Sequence, residues 1–191
     1  MRMRWVTTFA ASAFLIAAGW GSAAARRQSP PPASKFKLTT NAFSDGGRIP
    51  TRFSCVDPKA DSPRLAWSNP PAGTMSFAVI MHDVDTAPRQ GTMDVTHWIF
   101  WNVPASATSL PAGIKPGTSP DGIRQGKNIR QVDGYLPVCP PPGSFPHHYI
   151  IEMYALNTEL DLAAGSTRME LLKAMDGHVI GESAYVGRFG R

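Results

Sequence analysis

The sequence has only two cysteines and no long apolar run after Ala25. Cys55 and Cys139 do not form a CxxC pair, which excludes the cysteine-rich type of structural zinc site. The sequence also lacks a Gly-x-Ser-x-Gly motif, and neither cysteine has a recognisable base close by, so nucleophilic catalysis has no support. No cysteine follows the N-terminal apolar run, so a bacterial lipoprotein anchor is unsupported as well.

Proline and glycine, by contrast, are abundant, with 18 and 17 residues in a chain of 191. Proline avoids the interiors of helices and central strands, and glycine supplies the corners with positive φ. This composition argues against a coiled coil or a helix bundle. It favours many short strands joined by tight turns, in a chain long enough for one domain with its own core.

The segment 1–25 has the features of a secretory signal peptide. Arg2 and Arg4 form a positive start, the run Trp5–Trp20 carries no charge, and Ala23–Ala25 supplies the small residues of a cleavage site. The mature chain would then begin near Arg26 and be periplasmic or secreted, with no transmembrane segment. The alternative is an uncleaved membrane anchor, because the uncharged run could just span a bilayer.

Residues 26–35 are predicted to form a flexible, proline-rich leader, and residues 36–191 a single domain.

Two of the 19 basic residues and none of the 14 acidic ones precede Arg26, so the remainder has a formal net charge of +3. The local cluster of Arg124, Lys127 and Arg130 has no interleaved aromatic residues, so no nucleic-acid partner is predicted. The cluster is either a solvated basic loop or a means of attracting a small anion.

Short apolar stretches predict six β-strands separated by turn-rich segments. These strands are 36–43, 65–67, 76–83, 96–102, 148–156 and 183–189. The stretch from Phe77 to Met81 is apolar on both sides, which is typical of a central strand covered on both faces. Two layers packed around one core satisfy this pattern, so the predicted fold class is mainly β.

One helix is clearly indicated near the C-terminus. Thr167 followed three residues later by Glu170 fits a capping box, and Gly177 marks the end of the helix. The residues predicted to form its apolar face are Met169, Leu172 and Met175.

Side-chain alternation predicts a polar site at one end of the apolar core. Asp83 shares a face with the apolar residues of its strand, and Asp85 follows just beyond the strand end. In the next strand, His97 is expected to share a face with Ile99 and Trp101. A third predicted strand, 148–156, begins next to His147. Three predicted strands therefore have titratable residues at one end.

In that later strand, His147 shares a face with Tyr149, whereas His148 alternates to the other side, as His82 does in its own strand. If the strand ends meet, these residues form a small polar site at the rim of the core, where a ligand site is expected. Taken singly, Asp85 could simply cap a turn, and a histidine beside tryptophan could be a packed residue.

The cysteines carry a separate prediction, because an exported chain matures in an oxidising compartment. A disulfide between Cys55 and Cys139 is the natural hypothesis. The alternative is two buried thiols with no reactive role.

Four ordered motifs resemble the phosphatidylethanolamine-binding protein (PEBP) family, and in particular its bacterial secreted, YbhB/YbcL-like branch. The similarity extends from about Phe36 to Arg191 and includes a closing Gly187-Arg188-Phe189. The four motifs are Ser62-Pro63-Arg64-Leu65-Ala66-Trp67, Asp83-Val84-Asp85-Thr86-Ala87-Pro88, His97-Trp98 with Asn102-Val103-Pro104, and Cys139-Pro140-Pro141-Pro142-Gly143 with His147-His148-Tyr149.

This resemblance implies a Greek-key β-sandwich with a few peripheral helices and an anion pocket at one end. It assigns ligand binding to the residues that alternation selects, and it adds the backbone N–H of Cys139. The ligand-binding residues expected on this basis are Asp83, Asp85, His97, Cys139, His147 and Tyr149. No cofactor, metal or catalytic residue is implied.

The function we expect is the binding of a small anion or a phospholipid head group. Imidazolium, phenol and backbone N–H groups can share a phosphoryl oxygen, while carboxylates can receive an ammonium group. Phosphoethanolamine carries both charges. The alternatives are a protein-inhibitor or signalling module that acts on a kinase or protease, which the family also includes, and a metal-dependent hydrolase built on two histidines and a carboxylate.

Overall fold

A computed structural model describes residues 35–86, 92–117 and 122–191. Within these ranges the chain forms nine strands, one α-helix and a single 3₁₀ turn at Thr51–Phe53. The strands and the helix are β1 Lys37–Thr39, β2 Gly47–Arg48, β3 Leu65–Ser68, β4 Ser76–Asp83, β5 Val95–Pro104, β6 Ser109–Leu110, β7 Arg124–Gln125, β8 His147–Leu156, α1 Arg168–Met175 and β9 Val179–Phe189. The predicted signal peptide and nearly all of the predicted leader lie outside the described residues.

The strands form two sheets. The smaller has the order β1-β3-β6 and the larger the order β2-β9-β8-β4-β5-β7. Neighbouring strands are antiparallel except for β2 and β9, which are parallel. The main core lies between the sheets, where Leu38 and Trp67 of the small sheet join Phe77 and Ile151 of the large one. The fold is therefore a β-sandwich, as the sequence predicts.

Strand β4 is the centre of the molecule, since all eight of its residues are buried. One face contributes to the main core. The other contributes Ile80 to a second apolar cluster that α1 covers with Leu171 and Met175. The prediction of a central strand covered on both faces is confirmed.

The capping box of α1 is also confirmed, because Thr167 accepts a hydrogen bond from the backbone N–H of Glu170 and the Glu170 side chain binds back to Thr167. The predicted apolar face is partly wrong. Leu171 and Met175 are buried, whereas Met169 is 58% exposed. The helix is rotated so that Leu171, rather than Met169, faces the large sheet.

The first predicted strand is shorter than expected and covers only Lys37–Thr39. The hydroxyl of Thr40 donates to the Arg64 carbonyl and accepts from the N–H of Ala42, which turns the chain away from the sheet.

Among the described residues, no helix is long and apolar enough to cross a membrane.

Candidate anion-binding site

The pairing of β4 with β8 places the first site residues together. Asp83, the last residue of β4, is the register partner of Tyr149, and His147 begins β8. The Nδ1 atom of His147 lies 2.8 Å from Oδ2 of Asp83. Because a carboxylate only accepts, Nδ1 carries the hydrogen and Nε2 is the remaining ring nitrogen.

His97 reaches the same place through an irregularity in β5. The register between β4 and β5 shifts between Met81↔Trp98 and His82↔Thr96, so His97 is an extra residue in its strand. Its ring packs edge-on against Tyr149 with 5.1 Å between ring centroids.

Regular alternation would instead have placed His97 beside Ile99 and Trp101, which belong to the second apolar cluster. The predicted shared face is therefore wrong, because the bulge turns His97 to the side of the main core.

The Nδ1 atom of His97 lies 2.9 Å from the backbone carbonyl oxygen of Leu136. A carbonyl oxygen accepts, so this contact fixes the same tautomer in His97 as Asp83 fixes in His147. Burial is the main reason that the pKa of His97 lies below its ordinary value of 6.5. The free site therefore holds a neutral His97 at neutral pH.

Tyr149 is fully buried, and its hydroxyl has no hydrogen-bond partner of ordinary geometry among the residues that the structure describes. Burial and, after it, the Asp83 carboxylate raise the pKa of Tyr149, whereas the nearby backbone N–H of Cys139 acts in the opposite direction. The phenol is therefore protonated, and Asp83 and the backbone N–H of Cys139 are polar groups beside its hydroxyl.

Beside the two imidazoles a cavity of about 270 Å³ opens, and the buried Tyr149 is not among its lining residues. Asp83, His97, Cys139 and His147 line it, and so does Arg130. The disulfide between Cys55 and Cys139, with 5.4 Å between Cα atoms, ties one wall to the loop after the 3₁₀ turn. The predicted disulfide is present.

Asp85 is not brought into this cavity. Its Oδ2 accepts from the backbone N–H of His148 and lies 2.9 Å from Nδ1 of the His148 ring, at the solvent-exposed start of β8. The backbone hydrogen bond from His148 is the main reason that the pKa of Asp85 is lowered. His82 is likewise remote from the cavity, because it binds Asp94 on the opposite face of the sheet.

A sequence model described as "Phosphatidylethanolamine-binding protein" matches residues 39–190. The chain belongs to the PEBP family.

Similar proteins occur in archaea and bacteria. A protein of Methanothermobacter thermautotrophicus is 40% identical over 155 residues, which are 81% of this chain and 98% of the relative. The crystal structure of a PEBP homolog from Chlamydia trachomatis has a TM-score of 0.74 at 32% identity and covers 83% of this chain and 99% of its own. That of Escherichia coli YbcL has a TM-score of 0.73 at 29% identity and covers 82% of this chain and 98% of its own.

Two groups in the site of this PEBP-family chain were missed by sequence reasoning. Arg130 appears in the sequence only as one member of a basic cluster, and neither Arg124 nor Lys127 lines the cavity. The Leu136 carbonyl that orients His97 has no signal in the sequence, because any residue carries a backbone carbonyl.

No group of three or more potential metal ligands is clustered within the described part of the chain.

Proposed function

We propose that the cavity binds a small phosphoryl anion, with the phosphoethanolamine head group of a phospholipid as the preferred ligand class. Family membership supports binding of this general kind. The observation that carries the proposal is the pair of imidazoles whose Nδ1 atoms are already bound, to Asp83 and to the Leu136 carbonyl. Each ring keeps Nε2 for a ligand, and Nε2 donates to an anion once it takes up a proton.

The other groups around the cavity suit an anion in the same way. Arg130 supplies a positive charge, and the backbone N–H of Cys139, a residue that lines the cavity, is a donor beside the buried hydroxyl of Tyr149. Donors that converge on one place in a partly closed cavity stabilise an oxyanion more than they would in water.

The phosphoryl group has more partners here than an ammonium group has. Among the residues that the structure describes, Asp83 is the one carboxylate that lines the cavity, and its two oxygens already accept from His147 and from the backbone N–H of Asp85. We therefore expect inorganic phosphate to bind, and phosphoethanolamine to bind only modestly more tightly.

Titration calorimetry of the purified protein with phosphate and with phosphoethanolamine tests the proposal. The sharpest variant is His147→Asn, because the asparagine amide N–H can replace Nδ1 as the donor to Asp83 while Nε2 is lost. We expect about a tenfold loss of affinity, the size of one charge-assisted hydrogen bond. His148→Ala is the matched control, and equal losses in the two variants would contradict the assignment.

We also propose that the chain is exported and cleaved close to Arg26, on the basis of the charge-free run that ends at Ala25. N-terminal sequencing of protein recovered from the periplasm or the medium should find a start near Arg26. Recovery of intact Met1 in a membrane fraction would contradict cleavage and support the anchor.

A further inference from the structure

Three arginines line a second and larger cavity, of about 550 Å³, at the end of the sheet where β2 and β9 meet. We call it the arginine groove. Its lining residues are Arg48, Ser144, Pro146, Arg188, Gly190 and Arg191. In the part of the chain that the structure describes, none of the three arginines takes part in an ion pair.

The sheet places two of these charges side by side. Arg48 and Arg188 are register partners in the parallel pair of β2 and β9, so their side chains project on the same face. Like charges in directly neighbouring positions of a sheet are destabilising. An anion shared between the two guanidinium groups would remove this repulsion.

Two of the three guanidinium groups are also held in position. The Nε atom of Arg188 donates to the carbonyl oxygen of Gly46 at 2.7 Å, and the Nε atom of Arg191 donates to that of Pro140 at 2.7 Å. Each bond uses Nε and leaves the two Nη nitrogens, which form the fork that recognises phosphoryl oxygens in a bidentate manner.

The arginine groove is distinct from the candidate anion-binding cavity. Phe189 is buried in the main core, so its neighbour Arg188 projects from the opposite side of the sheet. His147 and Tyr149 lie on the core side, and no residue in the described ranges lines both cavities.

We propose that the arginine groove is a second anion site, which binds the phosphoryl group of a phosphate monoester or of a lipid head group. Phe145 lies between the lining residues Ser144 and Pro146 and is 92% exposed. It provides an apolar rim against which the carbon part of such a ligand packs. The arginines would bind the phosphoryl group of either ligand in the same way. The two ligands differ in the extent to which their carbon part contacts Phe145.

The number of phosphate ions bound tests this proposal. Inorganic phosphate titrated into the purified protein should occupy two sites, one of which is lost in Arg188→Gln with about a tenfold fall in its affinity. The matched control is Arg124→Gln, which removes an exposed arginine from a strand at the other edge of the large sheet. A single site insensitive to Arg188→Gln, or equal losses in the two variants, would overturn the proposal.

The variant His147→Asn separates this test from that of the proposed function. If it removes one phosphate site and Arg188→Gln removes the other, both assignments hold. If Arg188→Gln removes a site and His147→Asn removes none, the groove stands and the proposed function of the cavity fails.

Vesicles distinguish the two sources of the phosphoryl group. Cosedimentation with phosphatidylglycerol vesicles that is reduced by Arg188→Gln and by Phe145→Ser, but not by Arg124→Gln, would assign the groove to lipid head groups. Retained binding of free phosphate without vesicle binding would assign it to a soluble phosphate monoester. Binding of neither phosphate nor vesicles at the groove would overturn the proposal.

Discussion

At the scale of single residues, burial changes what a substitution at His147 can reveal. The sequence places this histidine at a rim, where alanine would leave stability nearly unchanged. The structure shows instead that His147 is 7% exposed and bound to Asp83, which is 3% exposed. Removing the imidazole leaves a buried carboxylate oxygen without its partner.

We therefore expect His147→Ala to lower the free energy of unfolding by about 1–3 kcal/mol, the cost of an unsatisfied buried acceptor. His147→Asn, which restores a donor to Asp83, should recover most of this loss. Urea denaturation of both variants is the measurement. His148→Ala, at an exposed position near the start of β8, should stay within about 0.5 kcal/mol of the parent protein. An equal loss in all three would contradict the buried hydrogen bond.

The protonation of His97 predicts how anion affinity depends on pH. Burial lowers its pKa in the free protein, so Nε2 lacks a proton at neutral pH and cannot donate to an anion. Binding should raise this pKa and take up a proton. Affinity is then greatest below the lowered pKa of free His97 and falls as pH rises from there toward the pKa of the complex.

Calorimetry of phosphate binding in two buffers of different ionisation enthalpy measures this proton uptake directly. Uptake should be greatest between the pKa of free His97 and that of the complex. His97→Gln, whose amide nitrogen can replace Nε2 as a donor without titrating, should flatten the profile. A pH dependence unchanged in this variant would assign the titration to another group.

At the scale of secondary-structure elements, α1 packs against the large sheet through Leu171 and Met175. The Leu171 side chain is fully buried in the second apolar cluster, whereas Met169 on the same helix is exposed. Leu171→Ala should therefore lower the free energy of unfolding by about 2–5 kcal/mol. Met169→Ala should change it by no more than about 0.5 kcal/mol. Thermal and urea unfolding of the pair test the orientation of the helix. A larger loss of stability in Met169→Ala than in Leu171→Ala would support the apolar face predicted from the sequence.

The elements also show how far the sequence could predict the structure. The long strands and the helix were predictable, because apolar periodicity and a capping box leave local signals at β4, β8 and α1. The two-residue strands β2, β6 and β7 are too short for any alternation to be visible. The bulge at His97 depends on how β5 pairs with β4, which is a non-local property. Sequence reasoning could thus bring His97, His147 and Asp83 to one site while assigning His97 to the wrong face.

At the scale of the whole molecule, the disulfide joins positions 84 residues apart and ends at a residue that lines the anion cavity. In the loop-entropy model, a bridge of this span contributes about 4 kcal/mol to stability. Reduction should lower the urea midpoint and also weaken phosphate binding, since Cys139 loses its tether. The double variant Cys55→Ala/Cys139→Ala should not respond to the reductant. An unchanged midpoint in protein shown to be reduced by thiol alkylation would contradict the prediction.

The hydrogen bond between His147 and Asp83 joins residues 64 positions apart, and that between His97 and Leu136 spans 39. We expect contacts of this kind to form late in folding, because the chain must first lose the entropy of closing long loops. The cavity should then form only after β4 has paired with both β5 and β8. In a refolding experiment, phosphate binding should return only in the slowest phase, together with the native fluorescence of the buried tryptophans. No fragment of the chain that lacks β4 or β8 would retain the site.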